Sequence, residues 1–219
     1  MNPLILRVAA LAGLLLAAGV LVFLATKPPW VMRAVEPGGA RVPMTPRPVR
    51  DFKLTDSEGR LFHSADLYGQ VWIVSFFFST CPATCREQNE IARRLSRQWG
   101  RQGVKVLSIT CDPEIDTPER LREYAEACEA DPDQWFFLTG PMDQISRIGQ
   151  ENFLLHVGRR SHSDRFAAVD RASRLRGIYD WHDPAQLEAL NEQLKELVLE
   201  ESPTDGSPDR ADEGDQSRS

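Results

Sequence analysis

The sequence predicts an α/β fold, a sheet covered by helices on both faces, and three observations carry that expectation. Val71 to Phe78 is an unbroken run of β-forming residues, the pattern of a central strand buried on both sides. Further apolar strand-like runs follow it, separated by segments of helical character. The folded part then closes with a hairpin and one amphipathic helix, whose stripe is Leu187, Leu190, Leu194 and Leu197.

Taken in order, Phe52 and Leu54 alternate with polar residues, Asp56-Ser57-Glu58-Gly59 makes a turn, and Leu61-Phe62 follows, which predicts a short hairpin. After the central strand, helical character runs from about Cys85 to Trp99, and Val104 to Thr110 is a second strand. Thr117-Pro118 opens a helix, threonine as its cap and proline at its first position. Trp135 to Leu138 is a third strand, with a helix expected from about Met142 to Gln150. Phe166 to Val169 and Leu175 to Tyr179 flank an Arg-Ala-Ser turn, and Asp183-Pro184 starts the last helix. This is a thioredoxin-like order with an extra N-terminal β-hairpin and a late inserted hairpin.

The ends read differently. Val8 to Thr26 is nineteen residues without a charge, between Arg7 and Lys27. At about 1.5 Å per residue it nearly spans a bilayer core of roughly 30 Å. A cleaved signal has a shorter apolar region ending in small residues, whereas this run ends Val22-Phe23-Leu24-Ala25-Thr26, so residues 1–27 are expected to be an uncleaved transmembrane anchor. Arginines following the span argue weakly for the opposite orientation, but long translocated domains often override that count. Residues 28–50 carry Pro28, Pro29, Pro37, Pro43, Pro46 and Pro48 and are expected to form a semi-stiff linker to a domain over 51–199. From Glu200 onward seven acids face only Arg210 and Arg218, so most of the formal charge of −6 sits in a tail, 200–219, expected to be disordered and dispensable. No basic block suggests a nucleic-acid partner.

Chemistry concentrates at Cys81-Pro82-Ala83-Thr84-Cys85, where the central strand ends and a helix is expected to begin. Residues four apart on a helical turn face one way, so both sulfurs could reach one atom. A helix N-terminus favours the thiolate, the form that binds metal. Two thiolates could hold a soft metal or close a disulfide; three residues between the cysteines, rather than the usual two of thiol–disulfide enzymes, lean towards metal. Copper(I) suits thiolates, with imidazole as a third donor. Of four histidines, His63 and His182 are expected to face solvent. His156 and His162 lie in a segment that could fold over the cysteines, and spacing favours His162 only narrowly.

Three stretches in this order resemble the Sco/SenC family. Phe76-Phe77-Phe78-Ser79-Thr80-Cys81-Pro82-Ala83-Thr84-Cys85 is similar to its copper-binding motif, and Asp112-Pro113-Glu114-Ile115-Asp116-Thr117-Pro118-Glu119 to its Asp-Pro-x-x-Asp-Thr-Pro stretch. His162-Ser163, followed by Phe166, Val169-Asp170-Arg171 and Leu175-Arg176-Gly177, resembles its distal histidine and hairpin. The resemblance implies one copper ion, Cu(I) or Cu(II), on Cys81, Cys85 and His162. It implies a metallochaperone for the CuA centre, its partner the cytochrome c oxidase subunit carrying that site, with the domain on the periplasmic or equivalent side of the membrane. Arg160-Ser161 stands where the family commonly has an acid, and Cys111 where an aliphatic residue is usual. Cys111 could be an extra ligand, a resolving thiol or a small buried residue; Cys128 falls on the stripe Leu121, Tyr124, Ala125, Cys128; a Cys111–Cys128 disulfide stays open. Asp112 could orient a ligand, contact a partner or simply make a turn. The competing functions are a thiol–disulfide oxidoreductase that keeps the receiving protein's cysteines reduced and, least favoured, a thiol peroxidase.

Overall fold

The computed structural model describes residues 44–81, 84–161 and 163–201, and the apolar run expected at the centre of the fold is there. Trp72–Phe77 forms β4, with all six residues buried. It pairs in parallel with β5 (Lys105–Thr110), and β5 in parallel with β6 (Trp135–Thr139). On the other side β4 pairs antiparallel with β7 (Arg165–Val169), and β7 with β8 (Arg174–Asp180). The expected early hairpin is β2 (Lys53–Asp56) and β3 (Leu61–His63), which extends the sheet beyond β6. Its turn is built by Asp56, whose Oδ1 accepts from the Glu58 and Arg60 amides, and by Gly59 at φ 77°, a left-handed conformation that glycine adopts without steric cost.

Among the described residues four α-helices cover the sheet: α1 (Thr84–Trp99), α2 (Pro118–Ala127), α3 (Met142–Arg147) and α4 (Pro184–Leu199). Alternation along β4 sends neighbouring side chains to opposite faces. Phe77 stacks on Tyr124 of α2 at 5.5 Å, and Asn89 of α1 donates to the Tyr124 hydroxyl, so α1 and α2 share one face. The Trp99 indole donates to Asn191, which brings α4 to the same side. Trp72 and Phe76 turn the other way and pack on Phe153, just after α3. Both faces are therefore covered, as expected. The helix starts at Thr117-Pro118 and Asp183-Pro184 form as expected, with both cap side chains accepting a backbone amide. The third helix departs from expectation: α3 ends at Arg147, and Ile148–Asn152 continues as a wider π turn.

The boundary between linker and domain also departs from the sequence reading, which placed it at 50/51. Arg47–Pro48 forms β1, antiparallel to β8 at the sheet edge, where a proline without an N–H is tolerated. Val49 is buried, its amide donating to Ser173 O at 2.8 Å. Asn152 holds both the amide and the carbonyl of Arg50 at 3.0 Å. Among the described residues no helix is long and apolar enough to cross a membrane. The expected anchor at Val8–Thr26, most of the linker and the tail from Ser202 lie outside the described residues.

This placement makes a prediction. A chain beginning at Asp51 loses the burial of Val49, about 1.5–3 kcal/mol, and hydrogen bonds of about 1 kcal/mol each. It should melt about 5–10 °C below one beginning at Met44. Equal melting temperatures by calorimetry would mean that 44–50 is an accessory strand only.

Candidate functional site

The carboxyl ends of β4, β5 and β6 lie on one edge of the sheet, where open α/β sheets build their sites. From β4 the chain leaves through Phe78-Ser79-Thr80-Cys81, and α1 begins at Thr84. Cys81 is half-buried, packs against the core, and its amide donates to Phe78 O at 3.3 Å. The two cysteines were expected on one helical turn. Instead the pair straddles the helix start, with Cys81 ahead of it and Cys85 in it, because a residue followed by proline (here Pro82) is disfavoured in helical geometry. A helix N-terminus favours negative charge close to it, and Cys81 stands three residues ahead of Thr84, the first residue of α1. The Cys85 side chain, residues 82–83 and His162 lie outside the described residues.

Beneath this turn sit two acids from the stretch after β5. Asp116, fully buried, accepts from the Ser79 amide at 3.0 Å, from the Ser79 hydroxyl, and from the Thr110 hydroxyl at 2.5 Å. Arg120, on the first turn of α2, donates to the Ser79 hydroxyl at 2.9 Å and lies 3.9 Å from Asp116. Asp112 is a turn residue, its carbonyl accepting from the amides of Ile115 and Asp116. Its carboxylate is nevertheless only 1% exposed and accepts no hydrogen bond from the described residues. Arg159 and Arg160 each bring Nε to 3.6 Å of one of its oxygens.

Those arginines belong to the loop that leads to His162. Gly158 and Ser161 form a β-bridge, and the Arg160 amide donates to Cys111 O at 2.9 Å. Beyond residue 162, Ser163 O accepts from the Gln88 side chain at 3.1 Å, and Gln88 lies three residues after Cys85 on the buried side of α1. The loop is thus fastened on one side to the end of β5 and on the other to the helix that carries Cys85. Among the other histidines, His156 is exposed between buried Leu155 and Val157, and His182 is exposed and stacked on Trp181. His63 closes β3 rather than lying in a turn, and is partly buried. No three His, Cys, Asp or Glu side chains converge on a metal-sized point among the described residues.

Cys111 and Cys128 are free thiols. Cys111 is fully buried and its Sγ donates to Phe77 O. Burial, reinforced by Asp116 and Asp112, pushes its pKa up to about 12, so the thiol is protonated at neutral pH in the folded protein. It takes the place of a small apolar residue. Cys128 caps α2, half-buried beside Arg93, and desolvation raises its pKa to about 11.

Sequence reasoning missed Gln88 and Arg120 altogether and placed Asp116 only within the Asp-Pro-x-x-Asp-Thr-Pro stretch. The available signal was polar residues, Gln88 among them, on the face of α1 that also carries Ala92, Leu95 and Trp99, but it does not name a partner 75 residues away.

The SCO1/SenC family model matches residues 43–198. A Bacillus subtilis SCO1 protein homolog is 29% identical over 120 residues, 53% of this chain; the match spans 62% of that relative, short of two thirds of its length. A putative copper-binding protein of Stutzerimonas stutzeri is 29% identical over 163 residues, 69% of this chain and 78% of the relative. The structure of Bradyrhizobium japonicum ScoI with copper bound superposes with a TM-score of 0.56 at 21% identity, covering 68% of this chain and 99% of that one.

In the native, metal-free protein at pH 7.5, iodoacetamide should label the Cys81–Cys85 peptide and leave Cys111 unmodified until the chain unfolds. Peptide mass spectrometry showing native Cys111 labelled as fast as Cys81 would contradict the buried, protonated thiol.

Proposed function

The chain belongs to the SCO1/SenC family, and on that premise we propose that it is a copper-binding metallochaperone that delivers copper to the CuA centre of cytochrome c oxidase. Cys81, Cys85 and His162 are its copper ligands. Two soft thiolates and one imidazole suit Cu(I). The observation that carries the ligand set is the fastening of the 158–163 loop: Ser163 is tied to Gln88 on α1 and Arg160 to Cys111 at the end of β5. His162 lies between those ties, whereas His156 sits outside them and is exposed. The anchor at Val8–Thr26 would hold the domain at the membrane on the extracytoplasmic side, where the recipient subunit presents its site.

A second reading rests on the same turn. Thiols that straddle a helix N-terminus are also suited to thiol–disulfide exchange, because the amides there stabilise the thiolate. The domain would then reduce the cysteines of the copper-receiving protein. Cys111, protonated and buried, is a poor resolving thiol, so such exchange would involve Cys81 and Cys85 alone.

The reduced chain should bind one copper. Its Cu(II) form should show an intense sulfur-to-metal charge-transfer band. Cys81→Ser or Cys85→Ser exchanges a soft donor for a hard one and should abolish tight binding, while His162→Ala should weaken it and alter the spectrum. His156→Ala should change neither. If His156→Ala alters the spectrum and His162→Ala does not, the ligand assignment fails; if neither does, thiol–disulfide exchange becomes the better reading.

A further inference from the structure

Asp116 holds the end of β4, whereas the Asp112 carboxylate, 1% exposed, accepts no hydrogen bond from the described residues. An ionised carboxylate in that position is costly unless cations face it. The facing cations are Arg159 and Arg160, each 3.6 Å from a different oxygen. Both arginines occupy the tight turn between Gly158 and Ser161, immediately before the residue proposed as the third copper ligand.

Arg160 is held in more ways than its neighbour. Its backbone is left-handed, φ 53°, which a long side chain adopts only when the surroundings enforce it. Its amide donates to Cys111 O at 2.9 Å, one residue before Asp112. Its guanidinium lies 5.8 Å from the centre of the Phe78 ring, on the segment that leads to Cys81. Arg159 reaches outward as well, to Glu114 on the same loop as Asp112. Backbone, ion pair and ring contact therefore converge on one residue that touches both the cysteine-bearing strand end and the loop after β5.

We propose that Arg160, assisted by Arg159, is a positioning residue: it latches the turn that precedes His162 to the buried Asp112 and so restricts, before metal arrives, the conformations open to the chain that carries the third donor. The inference rests on the reading of His162 as a ligand. A latch of this kind acts on the metal-free protein, because it removes conformations of the loop in which the third donor is out of reach. Arg160 itself touches no metal. Asp112 contributes by being a buried acid whose carboxylate has, among the described residues, only these arginines facing it, so that leaving the loop unlatched would strand its charge.

The test uses the full chain and two readouts. In the metal-free protein, amide hydrogen exchange over 158–163 should quicken in Arg160→Met and in Asp112→Asn, with the exchange of β4 and β5 unchanged. In copper(I) competition with a chelator, Arg160→Met should weaken binding roughly 10-fold to 100-fold, the range typical of groups that orient a ligand. Arg160→Lys, which keeps the cation, should recover most of that loss. In a His162→Ala background, Arg160→Met should add less than about twofold, since a residue acting through the imidazole has nothing left to position. An equal loss in both backgrounds, or unchanged exchange over 158–163, would overturn the latch while leaving the ligand assignment standing. His162→Ala without effect on copper affinity would instead remove the ligand assignment and the latch together.

Discussion

The site depends first on one buried carboxylate. Asp116 accepts two hydrogen bonds from Ser79 and one from Thr110, so a single side chain joins the end of β4 to the end of β5 at the level where the chain turns towards Cys81. Arg120 supplies the opposite charge from the rim and bonds to Ser79 as well. Hydrogen bonds to a charged group are stronger than neutral ones. Removing one partner of a buried charged network leaves the other uncompensated, at a cost of about 3–5 kcal/mol. The position of Cys81, two residues beyond Ser79, thus follows from electrostatics between strands, whereas the helix that follows is set by its buried face of Gln88, Asn89, Ala92, Leu95, Ser96 and Trp99.

Much of the fold was legible because its elements announce themselves locally. A six-residue strand buried on both faces reads as continuous apolar sequence, and two helices are opened by a capping side chain followed by proline. The edge strand β1 was not legible. Two residues containing a proline carry no periodicity, and their place is set by Val49 and by the Arg50–Asn152 pair, whose partners are about a hundred residues apart. The π turn after α3 was hidden for a similar reason: Gly149, where a side chain would meet Val157 at 2.5 Å, matters only once the following segment packs back on it.

For the site, residue types with one obvious chemistry were readable and residues defined by their partners were not. Cysteines at a strand–helix junction point in sequence to thiolate chemistry, metal binding or disulfide exchange. Gln88, Arg120 and Arg160 give no such pointer, because each acts through a contact at least 40 residues away: Gln88 with Ser163, Arg120 with Ser79, Arg160 with Asp112. Cys111 shows the converse. Its type suggested a ligand or a resolving thiol, and its surroundings make it an apolar filler with a thiol pushed up to about 12. The difference between it and Cys81 is burial against a strand carbonyl on one side and proximity to a helix N-terminus on the other.

The central claim is that one soft metal ion is held by two sulfurs and one imidazole on this edge of the sheet. X-ray absorption at the copper edge tests it most directly, on the chain loaded with one equivalent of Cu(I). The account predicts two sulfur scatterers and one nitrogen, with the outer-shell pattern of an imidazole that disappears in His162→Ala and persists in His156→Ala. A copper shell with two sulfurs and no imidazole, unchanged by His162→Ala, would contradict it.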